Sequence, residues 1–327
     1  MAIDQTESNF EKLTLNSRVK LTFWGVRGSI PVPGTETGKY GGNTSCVQFF
    51  TGVNDPVLIF DAGTGIIKLG EHINNNYKNN EIHIFITHTH WDHIQGLPFF
   101  APLFNNKYKI HFYSKNRSSS SLQDTIFKLI EEPQFPLSHQ KWKAQIFFHE
   151  LNENRLNLNP NTTIFTADLN HPWGANGYRI EYKNYTASYI TDTAPFDLML
   201  LGKEFIGSPP DPQSKLSSQE KSALKKIEKG VLELCCNSDA VIYDTMFTRS
   251  DYITFPHWGH STFEHAFGIC KEAKSRKLVF FHHSPRRNDH ELDEMLQKYR
   301  QIASKSSLEI FAAVENTSLI LDEPETT

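Results

Sequence analysis

Apolar residues in this chain fall into short runs with two different periods. Residues 19–25 (VKLTFWG), 45–50 (SCVQFF), 56–63 (PVLIFDAG) and 81–87 (EIHIFIT) are alternating or continuous apolar stretches of strand length. Residues 108–114 (YKIHFYS) read as a further strand, ahead of an amphipathic stretch over 119–132 in which a serine supplies an N-cap. Four more β-rich segments follow in close succession at 144–151, 161–169, 177–183 and 185–193. Strands at 239–247 (DAVIYDTMF) and 276–285 (RKLVFFHHSP) then alternate with helical patterns over 261–275 and 289–303. Two series of strands, with helices after each, predict an α/β chain of two sheets packed face to face and covered by helices on the outside.

Three stretches interrupt the pattern. Residues 1–17 are polar and form a separate N-terminal segment in this reading. Residues 27–43 (RGSIPVPGTETGKYGGN) must be a long loop, because Gly and Pro defeat both regular periods. Residues 203–237 read as a Pro-rich loop and a helix, a surface elaboration on a domain spanning 18–327. The Lys/Glu mixing of that helix marks a solvated face rather than a nucleic-acid grip.

Composition adds limits rather than identity. With 38% hydrophobic and 21% charged residues in 327, the chain is globular and long enough for a large core. No apolar run is long enough for a membrane span, and no secretory signal is visible. Four cysteines without paired metal-finger spacing suit a reduced, cytoplasmic protein. A net charge of −4 supplies no basic field for a long nucleic acid. Fifteen histidines are the unusual feature.

Several of them stand together. In FITHTHWDHIQG, His88, His90, Asp92 and His93 follow the strand over 81–87 directly. Side chains two apart on a strand point the same way, so His88 and His90 can face one cation, and the turn beyond lets Asp92 and His93 reach a neighbouring position. Imidazole with carboxylate suits zinc, and also manganese or iron.

These four residues form an HxHxDH signature, and with it the sequence resembles the metallo-β-lactamase superfamily, whose fold is an αββα sandwich of two mixed sheets. The resemblance implies a role for other strand-end residues. Asp61 matches the aspartate that orients the ligand loop, His171 the third-motif histidine, Asp192 the bridging aspartate and His282 the last ligand. It implies His88, His90 and His171 on one ion, Asp92, His93 and His282 on a second, and Asp192 between them. His283 rivals His282, but side chains alternate along a strand, so only one of the pair can face the metals.

Charge counting then narrows the substrate. Two divalent cations bring four positive charges; two carboxylates and a bridging hydroxide remove three, leaving about +1, which suits a phosphodiester monoanion attacked by that hydroxide. A lactam is disfavoured, since lactamases carry cysteine where Asp192 stands. Expelling an alkoxide needs a proton donor. His260, in a GHST element, resembles the catalytic histidine of the ribonuclease Z branch, and Asp244 stands where that branch places its acidic partner; His257 is a possible substitute. Over residues 19–315 the sequence resembles bacterial and phage proteins that include cyclic nucleotide phosphodiesterases. The resemblance implies a small phosphodiester or 3′,5′-cyclic nucleotide as substrate, no membrane partner and a homodimer. Arg286 and Arg287 read as a solvated turn. A ribonuclease Z-like RNA-processing activity is the alternative, although the space between His171 and Asp192 allows only a hairpin where that branch carries a long arm. A non-catalytic sensor and a thioester hydrolase are lesser readings.

Overall fold

In the computed structural model the described residues are 18–115, 120–131, 136, 138–203 and 215–322. The first sheet contains β1 (Lys20–Gly25), β2 (Cys46–Phe50), β3 (Val57–Phe60), β4 (Glu81–Phe85), β5 (Lys109–Ser114) and β6 (Gln145–Glu150), side by side in that order. The second contains β7 (Arg155–Asn159), β8 (Thr162–Leu169), β9 (Ala175–Tyr182), β10 (Tyr185–Ile190), β11 (Ala240–Asp244), β12 (Lys277–Phe281) and β13 (Glu309–Ala312), again in chain order. The last strand, β14 (Thr317–Ile320), returns to the first sheet and pairs with β1. Each sheet is antiparallel on one side and parallel on the other, from β3 to β6 and from β10 to β13. Strands β3, β11 and β12 are buried along their whole length, which is why they read as continuous apolar runs rather than alternating ones.

Helix α1 (Ile66–Asn76) covers the outside of the first sheet through Ile66, Leu69 and Ile73. The single turn α2 (Trp91–Ile94) and the helix α3 (Leu122–Leu129) follow, the latter capped by Ser121. Helix α4 (Ser218–Cys235) then leads to the short α5 (Arg249–Thr254), α6 (Phe263–Glu272) and α7 (Asp289–Ala303). The outer face of the second sheet is covered by α4, α6 and α7. The surface elaboration expected over 203–237 is therefore corrected in part. Residues 204–214 lie outside the described residues, but α4 buries Leu224, Ile227, Val231 and Leu234 and is a layer of the core. Its exposed Lys/Glu side is the solvated face the sequence suggested.

The sequence reading missed α1, β7, β13 and β14. The three strands are short or polar on one side and are fixed by the neighbours they pair with, whereas α1 carries a helical period at Ile66, Leu69 and Ile73 that the reading passed over. Beyond β4 the single turn α2 is followed by 3-10 turns at Leu97–Phe99 and Ala101–Phe104, because Gly96, Pro98 and Pro102 keep a longer helix from forming. All four cysteines are free, adjacent Cys235 and Cys236 included. Among the described residues no helix is long and apolar enough to cross a membrane.

At one end of the sandwich an aromatic floor ties the sheets together. Phe60 and Phe85 meet at 5.6 Å between ring centroids, Phe60 and Tyr189 at 5.5 Å, and Tyr189 and Phe281 at 5.5 Å. These are terminal or near-terminal residues of β3, β4, β10 and β12. Tyr178 of β9 donates its hydroxyl to the Ile86 carbonyl at 2.7 Å, bridging the sheets just beneath the loop that holds the histidines. The candidate residues therefore sit on a rigid base, at the carboxyl ends of the parallel strands.

Candidate metal centre

Asp61 follows β3, His88 follows β4, His171 follows β8, Asp192 follows β10, Asp244 ends β11 and His282 follows β12. Asp61, Asp192 and His282 each adopt φ of +59°, a left-handed conformation uncommon for residues other than glycine. The chain turns abruptly out of the strand at these points and aims the side chain into the gap between the sheets. Such strain persists only where surrounding contacts over-determine it.

Two groups of side chains form around Asp192. His88, His90, His171 and Asp192 bring ligand-type atoms within 4.8 Å of one another, as do Asp92, His93, Asp192 and His282. The Asp192 carboxylate divides between them. Its Oδ2 lies 3.6 Å from His88 Nε2 and 3.7 Å from His171 Nε2. Its Oδ1 lies 3.2 Å from His93 Nε2 and 3.4 Å from His282 Nε2. His90 Nδ1 is 3.1 Å from His171 Nε2, and Asp92 Oδ2 is 3.2 Å from His93 Nε2.

Outer partners fix the ring nitrogens. The Gly259 carbonyl, 2.9 Å from His171 Nδ1, can only accept, so that nitrogen carries the proton. The Thr87 hydroxyl donates to the Asp61 carboxylate and so accepts from His88 Nδ1 at 3.1 Å. Ser45, whose hydroxyl points to the Arg27 carbonyl, accepts from His282 Nδ1 at 3.2 Å. Asp61 Oδ2 accepts a hydrogen bond from His93 Nδ1 at 2.7 Å. With Nδ1 so engaged, each ring in its neutral form turns an Nε2 lone pair inward, towards carboxylate oxygens that are also acceptors. The Nε2 atoms of His88, His93 and His282 are buried and have no hydrogen-bond partner. Acceptors facing acceptors in a buried pocket are a cation site, and the donor set fits divalent metal.

Electrostatics agree. Burial pushes the His88 imidazole well below its ordinary range, and that of His171 down to about 3, so both are neutral as ligation requires. At Asp192 burial favours the acid form, but the imidazoles around it, His282 and His93 foremost, outweigh it and hold the carboxyl well below the usual range. At His93 burial opposes the charge, yet Asp92, Asp192 and Asp61 together raise the imidazole well above its ordinary value. Without a cation, a proton on His93 offsets part of that negative charge; a bound cation would displace it.

Backbone closeness shapes the pocket as well. A side chain on Gly28 would come 2.5 Å from His282 Nε2, and Gly259, at φ +83°, leaves no room for one beside His171 Nδ1. The Ser29 amide donates to Asp92 Oδ2 at 2.8 Å. The Gly/Pro-rich loop 27–43 therefore forms part of the wall.

Beside the two groups stands a third. His260 Nδ1 lies 3.1 Å from Asp244 Oδ2 and 3.9 Å from Asp192 Oδ2. Asp244 is held by the amides of Thr193, Ser261 and Met246. Burial lowers the His260 imidazole, but Asp244 outweighs it and the net shift is upward. His257 belongs to none of these groups among the described residues, and burial lowers its imidazole. His283 points away, its Nε2 donating to the Ala313 carbonyl at 2.9 Å. The solvated turn expected at Arg286 and Arg287 is corrected for Arg287: its guanidinium is buried, donating to the Met246 carbonyl at 2.7 Å and pairing with Asp251 at 2.9 Å. Ser45, Thr87, Tyr189 and the Gly259 carbonyl were missed by the sequence reading. They carry no motif, and only tertiary contact brings them to the imidazoles and Asp61.

The sequence and the fold are similar to those of known proteins. The Beta-lactamase superfamily domain matches residues 57–208, which include the four residues of the HxHxDH loop, His171 and Asp192. Ribonuclease Z of Pediococcus pentosaceus is 25% identical over 280 residues, covering 76% of this chain and 85% of its own. The chain is a metal-dependent hydrolase of the metallo-β-lactamase fold. Among solved structures of this fold, human tRNase Z, short form, superimposes with a TM-score of 0.60 at 19% identity, over 93% of this chain and 99% of its own. Yeast PDE1 gives 0.59 at 12% identity, over 93% and 100%. The two histidine–aspartate groups lie where the carboxyl-terminal strand ends of the two sheets meet.

Proposed function

We propose that this metal-dependent hydrolase cleaves a small phosphodiester, a 3′,5′-cyclic nucleotide above all, at a pair of zinc ions. The proposed ligands are His88, His90 and His171 on one ion and Asp92, His93 and His282 on the other, with Asp192 between. The observation that carries the reading is the division of the Asp192 carboxylate, one oxygen towards each imidazole group. Such a pair, when bound, supplies a Lewis acid for a phosphoryl oxygen and a water of lowered pKa. The chain's own residues do the rest. Asp61 and Thr87 orient the ligand loop, and the aromatic floor keeps water out from below. His260, whose imidazole Asp244 biases towards the charged form, stands beside Asp192 to give a proton to the leaving oxygen.

A small substrate is favoured by the connection between His171 and Asp192. It consists of β9 and β10 and their two-residue turn, with no arm to grip a folded RNA. The similarity to ribonuclease Z sequences favours the second reading, RNA 3′-end processing. One experiment separates them: metal-loaded protein incubated with a panel of 3′,5′-cyclic nucleotides and with precursor tRNA, products resolved by chromatography. Turnover of the cyclic nucleotides with inert RNA supports the first reading; the reverse sinks it.

A further inference from the structure

On the His88 side of the centre a cavity of about 330 Å³ opens between the ligand loop and the start of α3. His88, His90, Ser114, Leu122, Thr125 and Trp173 are among its lining. Its volume stands at the low end of the range for small-molecule sites, on the order of 300–1,000 Å³, so it holds one nucleoside-sized group rather than a strand. Two proposed metal ligands form part of its wall, so whatever is attached to a phosphorus at the centre extends into it.

Trp173 is the conspicuous residue there. It is 55% exposed, and among the described residues its ring makes no stacking contact and its Nε1 no hydrogen bond. An indole in that position adds little to the core. Yet its backbone is held in a left-handed conformation, φ +62°, which a bulky residue rarely adopts. The hold is specific: the Trp173 amide donates to the Lys203 carbonyl at 3.0 Å, and the Gly174 amide to the His171 carbonyl at 2.9 Å. The turn that aims His171 at the centre thus fixes the indole at the cavity mouth two residues later. Backbone strain spent on an exposed, unpartnered aromatic ring marks a contact made with something outside the chain. A flat π-face beside a phosphodiester site matches the face of a nucleobase, which any aromatic platform stacks.

We propose that Trp173 is the stacking platform for the base of the substrate, and that this cavity is the base subsite. The inference rests on the phosphodiesterase reading above. Calorimetric titration of the metal-loaded protein with adenosine 5′-monophosphate, and with ribose 5-phosphate as its base-free counterpart, tests it without turnover. Trp173→Ala is expected to weaken the nucleotide by about 5- to 150-fold and leave ribose 5-phosphate unchanged. Trp173→Phe, which keeps a flat ring, restores most of the affinity. Unchanged nucleotide affinity in Trp173→Ala, equal losses for both ligands, or no binding of the nucleotide by the wild type overturns the proposal. Inability of the wild type to hydrolyse any cyclic nucleotide would count against the function reading, while these affinities still decide the role of Trp173.

Discussion

Asp61 Oδ2 lies 2.7 Å from His93 Nδ1, and the same carboxylate takes the Thr87 hydroxyl, the Thr87 amide and the Tyr189 hydroxyl. One buried aspartate therefore sets the tautomer of His93 and the path of the loop that bears His88. Asp61→Asn keeps the shape but can turn an amide N–H towards Nδ1, favouring the wrong tautomer. Loss of such an outer partner typically costs about 10- to 100-fold in metal affinity. Competition with a chromophoric chelator should show a loss of that size, with the far-UV circular dichroism of the wild type.

Asp192 is the one carboxylate placed in both imidazole groups. Wild-type protein loaded with zinc should hold about two ions per chain. Asp192→Ala removes the shared negative charge and should leave one ion or fewer, with nearly all turnover gone. Elemental analysis of the dialysed variant decides the matter: two retained ions with near wild-type kcat would show that Asp192 is not the bridge.

His260 separates proton donation from metal binding. A ribose alkoxide needs a proton to leave, whereas p-nitrophenolate departs without one. A general acid contributes on the order of 10²–10⁴ in rate. His260→Ala should slow cyclic-nucleotide hydrolysis by about that factor and leave bis-p-nitrophenyl phosphate turnover and metal content nearly unchanged. Asp244→Asn should show the same selectivity more weakly. Equal losses on both substrates would assign His260 to structure or to metal instead.

Away from the centre, three imidazoles line up across adjacent strands. His83 and His111 stack at 4.9 Å between centroids, His111 and His149 at 5.3 Å, and His111 Nδ1 is 3.0 Å from His149 Nε2. Burial, with His111 and His149 beside it, pushes His83 from its ordinary 6.5 down to about 3. Burial lowers His111 and His149 as well. In the window between about 3 and 6.5 the unfolded chain binds more protons at His83 than the folded one, so stability rises with pH there and falls as the solution is acidified. Above that window His83 contributes no slope. Thermal midpoints should therefore drop from pH 7 to pH 5, and His83→Phe, which keeps a flat ring without a titrating nitrogen, should flatten the drop. An unchanged pH profile in that variant would show that the stack does not set acid sensitivity.

Asp61, His171, Asp192 and His282 were reached only through the family resemblance, whereas part of the candidate site was legible in a local signal: the apolar run of β4 stops and histidine and aspartate begin. His88, His90, Asp92 and His93 needed no more than that, since their spacing alone puts them on one side of one turn. The two-sheet architecture was equally local, written in runs that are continuous where a strand is buried on both faces. Tertiary structure decided what depends on residues distant in sequence. His260, not His257, meets Asp244, a contact that closes around α5, and His282, not His283, meets the Ser45 hydroxyl. The sequence read α4 as part of a surface elaboration, and only its packing on the second sheet shows it to be a layer of the core. Strands β7, β13 and β14 exist because a neighbour's unpaired amides and carbonyls complete them, a partner that no window of sequence contains. Periodicity reports which way a side chain faces along its own element; only packing supplies the atom it faces.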